Sequence, residues 1–161
     1  MALTVYLTLK ANGADVEGES TVRSLDRENT IECFSFSNDS KTGFDERGIP
    51  SGRIASTGMK FRKVFDKSSP LLQKALDFNE VLEGNFRFFR PSQDGTEEHF
   101  FTITFANGRL ARINRRSLSN RDPDFMAMPA YENVKIIAGE VTWTNVSGGQ
   151  EHTTEFFAPP K

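Results

Sequence analysis

An all-β fold, mainly antiparallel, with a single helix is what this chain of 161 residues predicts, and three observations carry it. Apolar residues recur at every second position in segment after segment, the period of strands with one face buried. Only one stretch, near residues 69–79, spaces its apolar residues as a helix does. The aromatic content is dominated by 15 Phe, placed on the strand-like segments where they can fill an interior. A doubly wound sheet needs a crossover helix between successive parallel strands, so one helix excludes it and leaves an antiparallel barrel or sandwich.

In residues 3–10, Leu3, Val5, Leu7 and Leu9 alternate with Thr4, Tyr6, Thr8 and Lys10 as a half-buried strand. Asn12-Gly13 and Glu17-Gly18 are turn chemistry and lead into a polar stretch to Asn29, with one edge strand at most. Residues 30–37 read as a second strand, Phe34 and Phe36 on one face, Ile31 and Cys33 on the other. The run 38–53 is too long and polar for an ordinary connection and is expected to be a long loop. Residues 54–65 alternate again, with Ala55, Thr57, Met59, Phe61 and Phe65 in one register, and deliver the chain into the helix.

The helix is expected to start at Ser69 as N-cap, with Pro70 next, where a fixed φ and a missing donor cost nothing. At 3.6 residues per turn Leu71, Leu72, Ala75, Leu76 and Phe78 form its packing side, and Gln73, Lys74, Asp77 and Glu80 its solvent side. Residues 85–90 and 99–105 flank Gln93-Asp94-Gly95-Thr96, a hairpin signal, and Asn107-Gly108 predicts a second tight turn into 109–116, completing a meander. The aperiodic 117–130, with Pro123 and Pro129, is a surface connection. Residues 131–144 are the last long strand, and its apolar phase slips near Gly139, where a β-bulge is expected. One more strand is expected at 153–157, before a frayed tail at 158–161.

The length supports one core, so residues 1–161 are read as a single domain. A formal net charge of -2 gives no global field to attract nucleic acid or an anionic membrane, and no apolar run is long enough to span a bilayer. The lone Cys33 cannot form an internal disulfide, and residues 1–5 carry no Sec-type leader, which points to synthesis in a reducing cytoplasm.

Enzymatic chemistry finds no footing. Gly43-Phe44-Asp45-Glu46-Arg47-Gly48 matches half a phosphate loop but continues Ile49-Pro50 where Lys and Ser/Thr are required, and as a calcium loop it puts Ile49 at the bidentate acid. Cys33, His99 and His152 are isolated from one another, so neither a zinc site nor a cofactor is expected. Cys33 lacks a partner to stabilise a thiolate, and no serine sits on a nucleophile elbow. Arg109, Arg112, Arg115, Arg116 and Arg121 form the one basic run; without interleaved aromatics, and followed by Asp122 and Asp124, it reads as a strand edge or subunit interface facing acids such as Asp45, Glu46, Glu97 or Glu98 rather than a nucleic-acid site. Binding or assembly remains.

An ordered set of segments resembles the Hcp family, the tube proteins of bacterial type VI secretion systems. Val5-Tyr6-Leu7 leads to Val16-Glu17-Gly18-Glu19-Ser20, similar to the family's G-E-S turn, and Ile31-Glu32-Cys33-Phe34-Ser35-Phe36-Ser37 resembles its I-E-V-x-S-F-S strand. Lys63-Val64-Phe65-Asp66-Lys67-Ser68-Ser69-Pro70-Leu71-Leu72 resembles its T-K-x-x-D-K-S-S-P-x-L strand-to-helix junction, the most specific piece. Tyr131-Glu132-Asn133-Val134 and Val141-Thr142-Trp143-Thr144 resemble its E-N-V and I-T-W-T segments, although Ile136 and Ala138 stand where many members carry aromatics.

The resemblance implies a β-barrel of two sheets flanked by the one helix, and a structural protein rather than an enzyme. It implies subunits that form six-membered rings, rings that stack into a tube capped by a spike protein, and a contractile sheath that drives the tube from the cytoplasm out of the cell or into a target cell, with effectors in the lumen. Residues 43–53 are then the loop reaching the adjacent ring, with Phe44 as apolar anchor and Gly43, Asp45, Glu46 and Arg47 around it, and Ser37 faces the lumen. The competing reading is a β-barrel that holds a small apolar ligand, which needs an interior cavity where fifteen Phe favour a packed one.

Overall fold

The structure, a computed structural model, describes residues 4–50 and 55–156. In chain order its elements are β1 (Thr4–Ala11), β2 (Ala14–Val16), β3 (Ile31–Cys33), β4 (Ser35–Lys41), β5 (Ala55–Val64), α1 (Ser68–Asp77), β6 (Leu82–Pro91), β7 (Glu97–Arg116), β8 (Tyr131–Asn145) and β9 (Glu151–Glu155). The predicted fold class holds: every pairing is antiparallel, and there is one α-helix among the described residues. The expected two sheets are one. Nine strands share a single curled sheet in the order β2-β1-β6-β7-β8-β5-β4, with β3 added to β1 and β9 to β8. The sheet is not closed as a ladder; the ribbon β3–β4 spans its flanks, pairing with β1 through β3 and with β5 through β4.

The interior is aromatic. The ring of Phe86 lies 4.7 Å from Phe36, 5.4 Å from Phe61 and 5.7 Å from Phe105, and Leu7, Leu9, Ile31, Met59 and Ile136 close the core around it. Ring edges against ring faces make such clusters favourable beyond their buried area. At Gly84 the backbone of β6 presses on β1, and a Cβ there would collide with the carbonyl oxygen of Thr8.

Four local expectations are corrected. Residues 30–37 are two strands, because the chain breaks at Phe34, whose N–H donates to the Arg62 carbonyl. That break shifts the phase by one residue, so Phe36 packs inward with Ile31 and Cys33 while Phe34 lies exposed. The run 38–53 is not all loop: β4 continues to Lys41, and residues 51–54 lie outside the described residues, as does the tail at 158–161. Asn107-Gly108 makes no reversal. Asn107 takes the positive φ (54°) that Asn tolerates, but β7 runs straight past it for 20 residues, held by β8 through Ala106↔Glu140 and Gly108↔Ala138. There is also no bulge at Gly139, since the register with β7 is unbroken there. The phase slip is real, with Ala138 and Val141 both buried, but β7 slips with it, between Phe105 and Gly108; the irregularity in this pair sits between Leu110 and Arg112.

The helix starts earlier than expected. Its N-terminal cap comes from Asp66, whose carboxylate accepts the N–H of Ser68 at 2.9 Å, while Ser69 Oγ accepts the N–H of Asp66 at 3.1 Å, a reciprocal capping box. Leu72 and Ala75 are buried in the core and Leu76 packs at its margin. Leu71 and Phe78, expected on the packing side, lie at the surface, 40% and 72% exposed. Ten residues of helix against a curved sheet bury a narrow stripe only, and α1 rests on β7 and β2 through it.

Candidate functional site

The residues of the strand-to-helix junction converge on one buried polar cluster. Strand alternation turns Lys63 inward behind Met59 and Phe61, and turns Glu132 inward ahead of Val134 and Ile136, and the register sets the two directly opposite. Lys63 Nζ lies 2.7 Å from Glu132 Oε2 and 3.0 Å from Asp66 Oδ1, and it donates to Ser69 Oγ and the Val64 carbonyl. On its other side Glu132 Oε1 accepts from Arg115 Nε at 2.6 Å, and Arg115 reaches on to Gln73 Oε1. Two cations thus face two carboxylates with the lone pairs satisfied, and the helix start is bolted to β5, β7 and β8. No donor of Lys63 is left for a substrate, so the cluster positions α1 and performs no reaction. Sequence reasoning missed this burial, although the alternation that places Met59 and Phe61 inward already assigns Lys63 to the same face.

The other chemically capable side chains are likewise occupied. Cys33 is fully buried, and burial pushes its thiol far above the usual range, so it is no nucleophile. The His99 ring stacks on Phe89 with centroids 5.2 Å apart and shares a hydrogen bond with Thr102; burial, then the Arg87 charge, lowers its pKa. Among the described residues no group of His, Cys, Asp and Glu is arranged to hold a metal ion.

What the molecule offers outward is surface. Gly43, Phe44, Asp45, Glu46 and Arg47 lie in a tight turn rather than an open loop. Phe44 bridges to Pro50, and Asp45 Oδ1 accepts the N–H groups of Arg47 and Ile49, both at 2.9 Å. Phe44 therefore stands at the base of the turn, with its ring 65% exposed. A second apolar area gathers where β5 ends: exposed Phe34, Val64 and Phe65 adjoin Tyr131, through the Phe34–Tyr131 ring contact, the Val64↔Tyr131 pairing and the bond from Phe65 N–H to the Ala130 carbonyl. Ser37 is exposed on the outward face of β4. Of the arginines on β7, Arg115 is spent within its own chain and Arg109 donates to the Gly108 carbonyl, while Arg112 and Arg116 line an outward groove.

Residues 6–145 match the family model described as "Type VI secretion system effector, Hcp". The chain belongs to the Hcp family. The resemblance carried by its segments is therefore borne out. Among its relatives is the "Major exported protein" of Pseudomonas aeruginosa, 29% identical over 115 residues that cover 71% of this chain and 67% of that one. A mutant of the Hcp1 protein from E. coli EAEC 042 pathovar superposes with a TM-score of 0.83 at 27% identity, covering 97% of this chain and 100% of that one. The secreted protein Hcp3 from Pseudomonas aeruginosa gives 0.74 at 19% identity, covering 98% and 100%, a likeness of fold. Hcp proteins are secreted structural proteins of type VI secretion that self-assemble, and the family is not one of enzymes. Within it, the buried cluster gives the junction segment a physical meaning: its Lys63, Asp66 and Ser69 meet Glu132 of the 131–134 segment.

Proposed function

We propose that the chain is the tube subunit of a type VI secretion system, six copies closing into a ring and rings stacking into a tube that is expelled and carries effectors in its lumen. Family membership over residues 6–145 is the observation that carries this reading. The surface supports it. Exposed large apolar side chains at the end of β5 and on the 43–50 turn suit burial against other copies better than lasting contact with water. The outer strands β2 and β4 each present an unpaired edge, which a heterologous ring contact would cover. In this reading Phe44 anchors the turn in the adjacent ring, Asp45, Glu46 and Arg47 fix its orientation, and Ser37 faces the lumen. Among the described residues Arg112 and Arg116 have no carboxylate within ion-pair distance and stay open to a partner, whereas Arg115 is engaged by Glu132 and Gln73 of its own chain. The spike protein, the sheath and the carried effectors are the further partners this role requires.

The competing ligand-carrier reading loses its premise, because Phe36, Phe61, Phe86 and Phe105 occupy the space an apolar ligand would need. Light scattering on the purified chain tests the tube reading. A mass six times that of the subunit is expected, and a strictly monomeric species at high concentration would sink it.

A further inference from the structure

The outward face of β4, β5, β8 and β7 forms an open groove of about 660 Å³. Strand alternation decides what lines it. Lys60 and Arg62 lie between the inward Met59, Phe61 and Lys63, and Asn133 and Lys135 lie between the inward Glu132, Val134 and Ile136. The register then sets two cross-strand rows, Ser37↔Lys60↔Lys135↔Arg112 and Ser35↔Arg62↔Asn133↔Asn114, with Arg116 beyond them along β7.

The lining holds five cations and no carboxylate. Elsewhere among the described residues some cations are paired, Arg27 with Glu97, Arg90 with Glu98 and Lys67 with Glu17, and others such as Lys10 and Arg121 are not; what marks the groove is five cations gathered on one face with no acid among them. Among the described residues none of the five groove cations has a carboxylate within ion-pair distance. Like charges directly opposite on neighbouring strands are destabilising, and Lys60, Lys135 and Arg112 are three in a row. Arg62 is held in place, its Nε donating to Asn133 at 2.9 Å and its guanidinium 4.5 Å from the Tyr131 ring centroid. The concave, partly ordered array of positive charge gains free energy only when an anion enters.

We propose that this groove binds an acidic polypeptide segment, whose carboxylates meet Lys60, Lys135, Arg112 and Arg116 while Ser35, Ser37 and Asn114 serve its main chain. Nucleic acid is disfavoured because no aromatic face is open to a base: Phe61 points into the core and Tyr131 is buried beneath Arg62. Ser37 belongs to this groove, so where the groove faces rests on the tube reading, which puts Ser37 in the lumen. The tube would then select cargo for an acidic surface. The charge chemistry itself rests on the single subunit.

The test is fluorescence anisotropy with a short fluorescein-labelled peptide of alternating Glu and Gly, titrated with wild-type protein and with the double variant Lys60→Gln/Lys135→Gln, with light scattering on both. The expected result is saturable binding that weakens at least tenfold in the variant and as salt is raised, with unchanged oligomer mass. Absent or equal binding by the two proteins overturns the proposal, and so does tighter binding of labelled polyuridylate. Loss of the ring in the variant overturns it too, by assigning the groove to a neighbouring subunit. If the wild type is monomeric yet binds the peptide and the variant does not, the tube reading fails and the groove stands.

Discussion

Lys63 is where a single side chain decides most. A buried cation is tolerable only when its charge is matched, and here the match is split between Glu132 and Asp66, with Arg115 closing the far side of Glu132. Glu132→Leu leaves Lys63 and Arg115 without their shared carboxylate and is expected to cost about 3–5 kcal/mol. Lys63→Met/Glu132→Leu should cost less than the two single changes summed, because the Lys63–Glu132 contact is then lost once and neither of the two is left buried against the other's absence. Urea unfolding followed by the fluorescence of Trp143 measures both; strict additivity would show that the two groups act independently. His99 gives a second prediction at this scale. Its pKa is lowered in the folded state, so the folded protein binds fewer protons than the unfolded chain just below the ordinary histidine pKa of 6.5. Stability should fall as pH drops below 6.5, and His99→Gln should flatten that slope in thermal melts between pH 7 and 5, whereas an unchanged slope would assign it elsewhere.

At the scale of elements, α1 and β7 separate packing from propensity. The helix is held by Leu72 and Ala75, so Leu72→Asp should abolish folding, whereas Lys74→Ala, on a side chain 60% exposed, should shift stability by less than about 1 kcal/mol. Circular dichroism and soluble yield report both outcomes. Helical periodicity made the element legible but not its stripe: a wheel puts Leu71 and Phe78 beside Leu72, and only the curvature of the sheet decides that they miss it. The start was misassigned for a related reason. Ser69 is a good N-cap by type, yet it serves inside the first turn because Asp66 is held in place by Lys63, a long-range contact no local rule contains. In β7 the turn signal Asn107-Gly108 is satisfied by a positive φ without a reversal. Asn107→Val should therefore destabilise by roughly 1–2 kcal/mol, the cost of a left-handed backbone for a residue with a branched Cβ, while Asn107→Gly should be near neutral.

For the whole molecule, alternation carried the fold class and the position of nearly every strand, since each strand buries one face and period two records that directly. It did not carry which strand meets which. The break at Phe34, the single sheet and the pairing of Glu132 with both Lys63 and Arg115 all depend on partners far along the chain. The surfaces were legible as residue types alone, Phe44 as an apolar residue in a polar run and the arginines as a basic run, and the structure then divided the arginines between an internal bolt and an outward groove. The turn that carries Phe44 is closed on itself, by Asp45 and by the bridge from Phe44 to Pro50, and the exposed Phe44 ring is no part of the core. On the proposed tube reading, Phe44→Asp should leave folding and the ring intact, because it removes no core contact, while placing a charge where the stacking contact would bury an aromatic ring. Negative-stain microscopy and light scattering should then show single rings at concentrations where the wild type forms stacks. Loss of the ring itself would put the turn in the interface within a ring, and stacks as long as those of the wild type would take Phe44 out of the contact altogether.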